Sequence, residues 1–133
     1  MRFQLSYVGI HVRDMDRSIA FYRDLLRMRL LRRSRVSETG GEWAELASPG
    51  SPHILELNWY PEGSKFFVGP YRSGDELDHI AFEVEDVDGA YRELIARGAR
   101  SGHAPFLEDG TPLAFVQDPD GIWIELTGPA VPA

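Results

Sequence analysis

From Tyr7 to Val12 the chain alternates, with Val8, Ile10 and Val12 on one face and Tyr7, Gly9 and His11 on the other, and it then meets the paired acids Asp14 and Asp16. Alternation over about six residues predicts a half-buried strand, and an acid followed by an apolar period of 3.6 predicts a capped helix. Met15, Ile19, Tyr22 and Leu26 form the apolar stripe of that helix. Moving the sequence by 72 residues lays Tyr7–Asp16 on His79–Asp88, and a second stripe follows in Val87, Ala90, Tyr91, Leu94 and Ile95. Such stripes pack against a sheet. The later part of each block repeats with a shift of 70, which places Gly40, Ala44 and Pro49 on Gly110, Ala114 and Pro119. One further slip aligns Leu55-Glu56-Leu57 with Ile124-Glu125-Leu126.

Each copy therefore predicts a strand, a helix and about three strands joined by Gly and Pro turns. One such unit cannot bury a sheet face alone. The expected fold is α+β: two βαβββ modules forming a curved eight-stranded mixed sheet, an incomplete barrel with its helices outside. It is a single domain over 1–133, with module 1 at about 1–58, a connecting loop at about 59–76 and module 2 at about 77–133. The loop holds many turn formers and five aromatics, Trp59, Tyr60, Phe66, Phe67 and Tyr71. Loops of this length serve as lids or binding loops, so it reads either as a flap over a site or as a packed connection.

The chain has 133 residues, no cysteine, and four histidines: His11, His53, His79 and His103. Its size suffices for a core without metal or disulfide staples, so a metal in it would be functional. The lack of cysteine excludes disulfides, thiol nucleophiles, iron–sulfur clusters and thiolate zinc sites. No run reaches the roughly 18 apolar residues of a membrane span, and the amino terminus lacks the apolar core of a signal peptide; a cytoplasmic protein is expected. The net charge of −7 argues against nucleic acid as a partner. Charge is uneven, however: residues 1–37 carry nine Arg and three Asp. The dense run Arg27, Arg29, Arg32, Arg33 and Arg35 reads as a solvated helix end and edge strand, with an anion-binding rim as the alternative.

Glu56 and Glu125 hold equivalent places, each flanked by aliphatic residues in a strand that looks buried, and a carboxylate there needs a partner. Neither copy needs that carboxylate to fold, yet both have one. Pairing of the equivalent strands about a pseudo-twofold axis would bring Tyr7, Glu56, His79 and Glu125 to the concave floor. Oxygen and imidazole donors suit Mn, Fe, Co, Ni, Zn or Mg. His53 has opposite parity to Glu56 and reads as peripheral, and His103 sits in the turn-like stretch Gly102-His103-Ala104-Pro105.

The ordered set Asp14–Leu26, Ile54-Leu-Glu56-Leu-Asn58, Leu77-Asp-His79-Ile-Ala-Phe-Glu-Val and Asp118-Pro-Asp-Gly-Ile-Trp-Ile-Glu125-Leu resembles the vicinal-oxygen-chelate superfamily. Within it, the short glyoxalase I type is the nearest match, and the resemblance covers nearly the whole chain. It implies paired βαβββ modules, a divalent metal, and a homodimer whose sites are shared between subunits. Carried over residue by residue, it makes Glu56, His79 and Glu125 metal ligands. Tyr7 stands where the family has its first metal histidine and is the uncertain fourth position. His11 cannot replace it, because four residues along a strand span about 13 Å and a ligand bond is about 2 Å. The place of His11 resembles one used by an arginine that meets the glutathione carboxylate, so His11 is expected to line a substrate pocket, with Tyr60, Phe67 and Tyr71 of the aromatic segment. Arg27 departs from the family's glycine at the end of the first helix, whereas the second copy keeps Gly98.

The implied activity is that of a metal-dependent lyase or isomerase acting on a small α-oxo or α-hydroxycarbonyl substrate such as a methylglyoxal–thiol adduct, through proton transfer by way of an enediolate. A free Glu, with a pKa of about 4.3, is far too weak a base for a carbon acid without a Lewis acid beside it. Glu125 and Glu56 are the candidates for ligand and displaced base, with the assignment open between them. An epimerase uses similar ligands. A ring-cleaving dioxygenase favours two His and one carboxylate and fits less well. A ligand-sequestering protein of the bleomycin-resistance kind would explain Tyr7 and the aromatic segment, but has no use for three metal-type residues.

Overall fold

The computed structural model describes residues 1–67 and 69–130. Its contacts divide it into two compact units, Met1–Arg72 and Ser73–Ala133. The boundary falls inside the segment 59–76.

In the first unit, strand β1 (Val8–His11) leads into helix α1 (Met15–Ala20), a single π-helical turn (Phe21–Leu25), and strands β2 (Arg29–Val36), β3 (Gly41–Ala47) and β4 (Leu55–Trp59). The sheet order is β1-β4-β3-β2. β1 runs parallel to β4, and the other pairs are antiparallel. The second unit repeats this as β5 (Ile80–Glu83), α2 (Val87–Ala96), β6 (Arg100–Glu108), β7 (Thr111–Gln117) and β8 (Trp123–Thr127), in the order β5-β8-β7-β6. Both βαβββ modules that the repeat predicts are thus present.

The helices start where the acids foretell. The Asp14 carboxylate accepts from the Arg17 amide at 3.1 Å, and the Asp86 carboxylate accepts from the Gly89 amide at 3.0 Å. Each acid satisfies an amide that the first turn leaves without a partner. Met15, Ile19 and Tyr22 of the first stripe are buried, while Leu26 is half-buried because the π-helical turn shifts the phase. Val87 and Leu94 anchor the second stripe, with Ala90 and Tyr91 half-buried and Ile95 at the surface.

The helix ends differ between the copies. α2 is followed by Gly98 at φ 99°, whereas the first unit closes through Arg27 at φ 60°. Arg27 adopts the left-handed conformation that its side chain disfavours, and the wider turn before it brings the Met28 amide to the Tyr22 carbonyl at 3.0 Å.

Ladder register sorts each sheet into two faces. In the first, Ile10, Leu57 and Ala44 lie side by side and buried, and Gly9, Glu56 and Glu45 lie side by side on the opposite face. In the second, Phe82, Leu126 and Ala114 make a row that alternates with Ala81, Glu125, Phe115 and His103. The stretch around His103 is therefore not a turn. It belongs to β6, where Gly102 and Pro105 are accommodated by register shifts in an edge strand, a place that tolerates a missing donor. Among the described residues no helix is long and apolar enough to cross a membrane.

Candidate active site

The second unit joins two of the predicted ligands. His79 immediately precedes β5, and Glu125 pairs with Ala81 in the β5–β8 ladder. Two residues of strand bring a side chain back to the same face, so His79 and Glu125 meet: Nε2 lies 2.7 Å from Glu125 Oε2. The Glu125 side chain is only 15% exposed. On its other side the His79 ring puts Nδ1 2.6 Å from Asp78 Oδ1. The ring also meets Phe115 edge to face, with centroids 5.9 Å apart. Phe115 stands directly across the ladder from Glu125.

The first unit places its own residues at the same levels. Glu56 pairs with Gly9 as Glu125 pairs with Ala81, so Tyr7, two residues before Gly9, holds the station of His79. Tyr7 is 51% exposed. The Glu56 carboxylate leans over β1, with Oε1 3.7 Å from where a Cβ on Gly9 would stand. Across the ladder Glu56 faces Glu45, which Arg32 engages at 2.7 Å. In the second unit the stations of Glu45 and Arg32 are held by Phe115 and His103. The two glutamates therefore share a register but not a neighbourhood.

His11, Tyr60, Phe67 and Tyr71 come together in the first unit. The His11 ring lies 5.2 Å from Tyr60, 4.6 Å from Phe67 and 5.1 Å from Tyr71, and the Arg13 guanidinium stacks 4.6 Å over Tyr71. These side chains and Trp59 line a cleft of about 190 Å³. The Ser64 hydroxyl fixes the loop locally by accepting from the Phe67 amide at 3.2 Å. Much of the aromatic segment is therefore packed around the end of β1 in its own unit.

The arginine run is partly consumed by ion pairs. Arg33 donates to Asp16 at 2.7 Å and to Glu42 at 3.0 Å, and these hydrogen bonds push its guanidinium above the ordinary arginine value. His53 is exposed, and His103 packs on Phe106 at 4.6 Å. Residues that the sequence did not single out are Asp78, Phe115 and Glu45. An acid beside His79 was visible in the string, but the neighbours of Glu125 and Glu56 follow only from ladder register.

Whether these residues suit a metal can be judged on the His79–Glu125 pair. A divalent ion bonded to a nitrogen and an oxygen at about 2.1 Å would hold the two atoms about 3.0 Å apart at right angles and about 3.4 Å apart at tetrahedral angles. The 2.7 Å separation would have to open by roughly 0.3–0.7 Å. The pair fits the group as two of its ligands. Among the described residues, no three His, Asp or Glu side chains gather closely enough to hold an ion.

A family model for the Glyoxalase/Bleomycin resistance protein/Dioxygenase superfamily matches residues 4–126. The lactoylglutathione lyase of Haemophilus influenzae is 34% identical over 128 residues, covering 92% of this chain and 90% of that protein. Among solved structures, the trypanothione-dependent glyoxalase I of Leishmania major superposes with a TM-score of 0.76 at 31% identity, over 96% of this chain and 87% of that one. A V278E mutant of glyoxalase I from Zea mays gives a TM-score of 0.80 at 28% identity, and 96% of this chain spans 45% of that longer one.

Proposed function

The chain belongs to the Glyoxalase/Bleomycin resistance protein/Dioxygenase superfamily, and from that premise we propose that it is a divalent-metal-dependent lyase or isomerase of glyoxalase I type. Its substrate is a small α-oxo aldehyde joined to a thiol, and it works as a homodimer in the cytoplasm. The observation that carries this reading is the His79–Glu125 pair at 2.7 Å, with Glu56 at the matching station of the other repeat. Relatives named lactoylglutathione lyase over nine-tenths of the chain support it.

His79 and Glu125 of the second unit would hold the ion, and Glu56 and Tyr7 occupy the matching stations of the first. When bound, the ion supplies Lewis acidity that makes the carbon acid beside a carbonyl accessible to a carboxylate base. The protein's part is to move the proton. One of the two glutamates takes it from the carbon that bears sulfur and returns it to the neighbouring carbon, converting a thiohemiacetal into an α-hydroxy thioester. Glu125 is 15% exposed and stands across the ladder from the apolar Phe115, while Glu56 lies beside the charged Glu45–Arg32 pair. We assign the base role to Glu125 on that difference. The cleft around His11, with Tyr60, Phe67 and Tyr71, would receive the thiol portion.

Metal analysis of protein purified without chelators, followed by a methylglyoxal–glutathione assay, tests the reading. Bound metal with turnover is expected. A metal-loaded but inert protein would reject this substrate, and a protein that takes up no divalent ion would reject the class. Glu125→Gln should abolish turnover, and activity close to the wild-type value would end its assignment as base.

A further inference from the structure

We infer that Ser64 is a positioning residue for the cleft around His11: its buried hydroxyl holds the backbone of Phe67 at both the amide and the carbonyl, and so keeps the Phe67 ring in place as a fixed wall for the thiol portion of the substrate. The inference rests on the lyase reading above and extends it to a residue outside the lining of the cleft.

The neighbours of Ser64, Gly63 and Lys65, are exposed, one of them as a glycine at φ 77°, yet Ser64 itself is only 5% exposed. A buried hydroxyl needs partners, and both of its partners belong to one residue. Oγ accepts from the Phe67 amide at 3.2 Å and donates to the Phe67 carbonyl at 3.4 Å. The Ser64 amide donates to the Pro61 carbonyl at 3.2 Å. Pro61 is itself seated, since its Cγ lies 3.4 Å from where a Cβ on Gly40, between β2 and β3, would stand. Contacts therefore run from the β2–β3 hairpin through Pro61 and Ser64 to Phe67.

The consequence falls on the cleft. Phe66 projects into solvent at 64% exposure, whereas the Phe67 ring rests 4.6 Å from both His11 and Tyr60. Phe67 is still 43% exposed, so ring surface is left for a ligand. The second unit shows the same place without such a segment. At the ends of β5 and β8 a cleft of about 480 Å³ is lined by Glu83, Val84, Glu85, Thr127, Gly128 and Pro129, with no ring among them. In the first unit His11 and Arg13 hold the stations of Glu83 and Glu85, and with the aromatic segment around them the cleft measures about 190 Å³. A wall already in place need not be ordered when the ligand binds.

The test uses the intact protein and two variants, Ser64→Ala, which removes the hydroxyl, and Ser64→Thr, which keeps it. Affinity is measured by calorimetric titration with S-methylglutathione, a thioether that cannot react, and kcat and KM with methylglyoxal and glutathione. The placement of Phe67 is read from the proton shifts of the His11 ring, which the neighbouring rings displace. In the alanine variant those shifts should move toward the values of an imidazole with no ring beside it. Affinity should fall and KM rise about three- to tenfold, the effect of one or two ordinary hydrogen bonds, with kcat at its wild-type value. The threonine variant should recover most of each. Unmoved His11 shifts or unchanged affinity in the alanine variant would overturn the inference, as would equal losses in the two variants or a fall in kcat alone. If the wild type neither binds the thioether nor turns over, the lyase reading fails, and the His11 shifts still decide whether Ser64 sets the ring.

Discussion

Arg27 sits at φ 60°, and its counterpart Gly98 at φ 99°. The left-handed region costs a residue with a Cβ roughly 1–2 kcal/mol. Glycine would remove that strain but adds freedom to the unfolded chain, a loss of roughly 0.4–1 kcal/mol. Arg27→Gly should therefore raise stability by about 0.5–1 kcal/mol, read as a higher urea midpoint at unchanged slope. A lower midpoint would mean that the contacts of the arginine side chain outweigh the strain. The departure from glycine was legible in the sequence, but its conformation was not, since the chain had the alternative of closing the helix elsewhere. Arg33 shows the same limit. Its partners Asp16 and Glu42 lie 17 and 9 residues away, so a run that reads as solvated charge becomes a bridge from α1 to β3 only once the register is known. Removing it in Arg33→Ala should cost about 1 kcal/mol at low ionic strength, as for a partly exposed ion-pair network. The cost should shrink as salt screens the pair, and a difference indifferent to salt would point to lost packing of the side chain instead.

At the level of elements, the internal repeat made most of the fold readable. Two copies of one pattern check each other: the ladders pair Gly9 with Glu56 and Ala81 with Glu125, as the shifts of the repeat require. The stretch at His103 shows where local signals mislead. Gly102 and Pro105 resemble turn chemistry, yet an edge strand tolerates both through register shifts. The segment from Trp59 onward had no periodicity to read; the grouping of Tyr60, Phe67 and Tyr71 with His11 was expected from the family resemblance, and the ring contacts themselves came from the fold. That packing supports a prediction about β1 and this loop together. Phe67 stacks against both His11 and Tyr60 at 4.6 Å, and such ring pairs contribute about 0.5–1.5 kcal/mol each. If the cleft receives the thiol portion of the substrate, Phe67→Ala should raise KM several-fold while leaving kcat and metal content near their wild-type values. A fall in kcat without a change in KM would place Phe67 closer to the reacting carbons than the cleft suggests.

For the molecule as a whole, the question is whether the proposed ion serves the fold or only the chemistry. Among the described residues the largest fully buried apolar side chains are Tyr22, Leu46, Leu57, Ile124, Leu126, Val12 and Val116, with Asp118 and Ser18 the polar ones buried beside them, and none is a proposed ligand. His79 and Glu125 lie on the sheet face opposite to that of Ile124 and Leu126. A core built this way does not need the ion, unlike small domains that are unfolded without their metal. Ligand binding still stabilises a folded protein by mass action, by about 2.7 kcal/mol when free metal is at a hundred times its Kd. Chelator-treated protein should therefore keep its far-ultraviolet circular dichroism and a cooperative melt, lose turnover, and regain both turnover and a higher Tm on addition of the ion. Collapse of the dichroism with chelator would make the metal structural, contrary to the apolar core. A Tm indifferent to saturating metal would mean that the folded chain holds none, and the glutamate and histidine stations of the two repeats would then need another use.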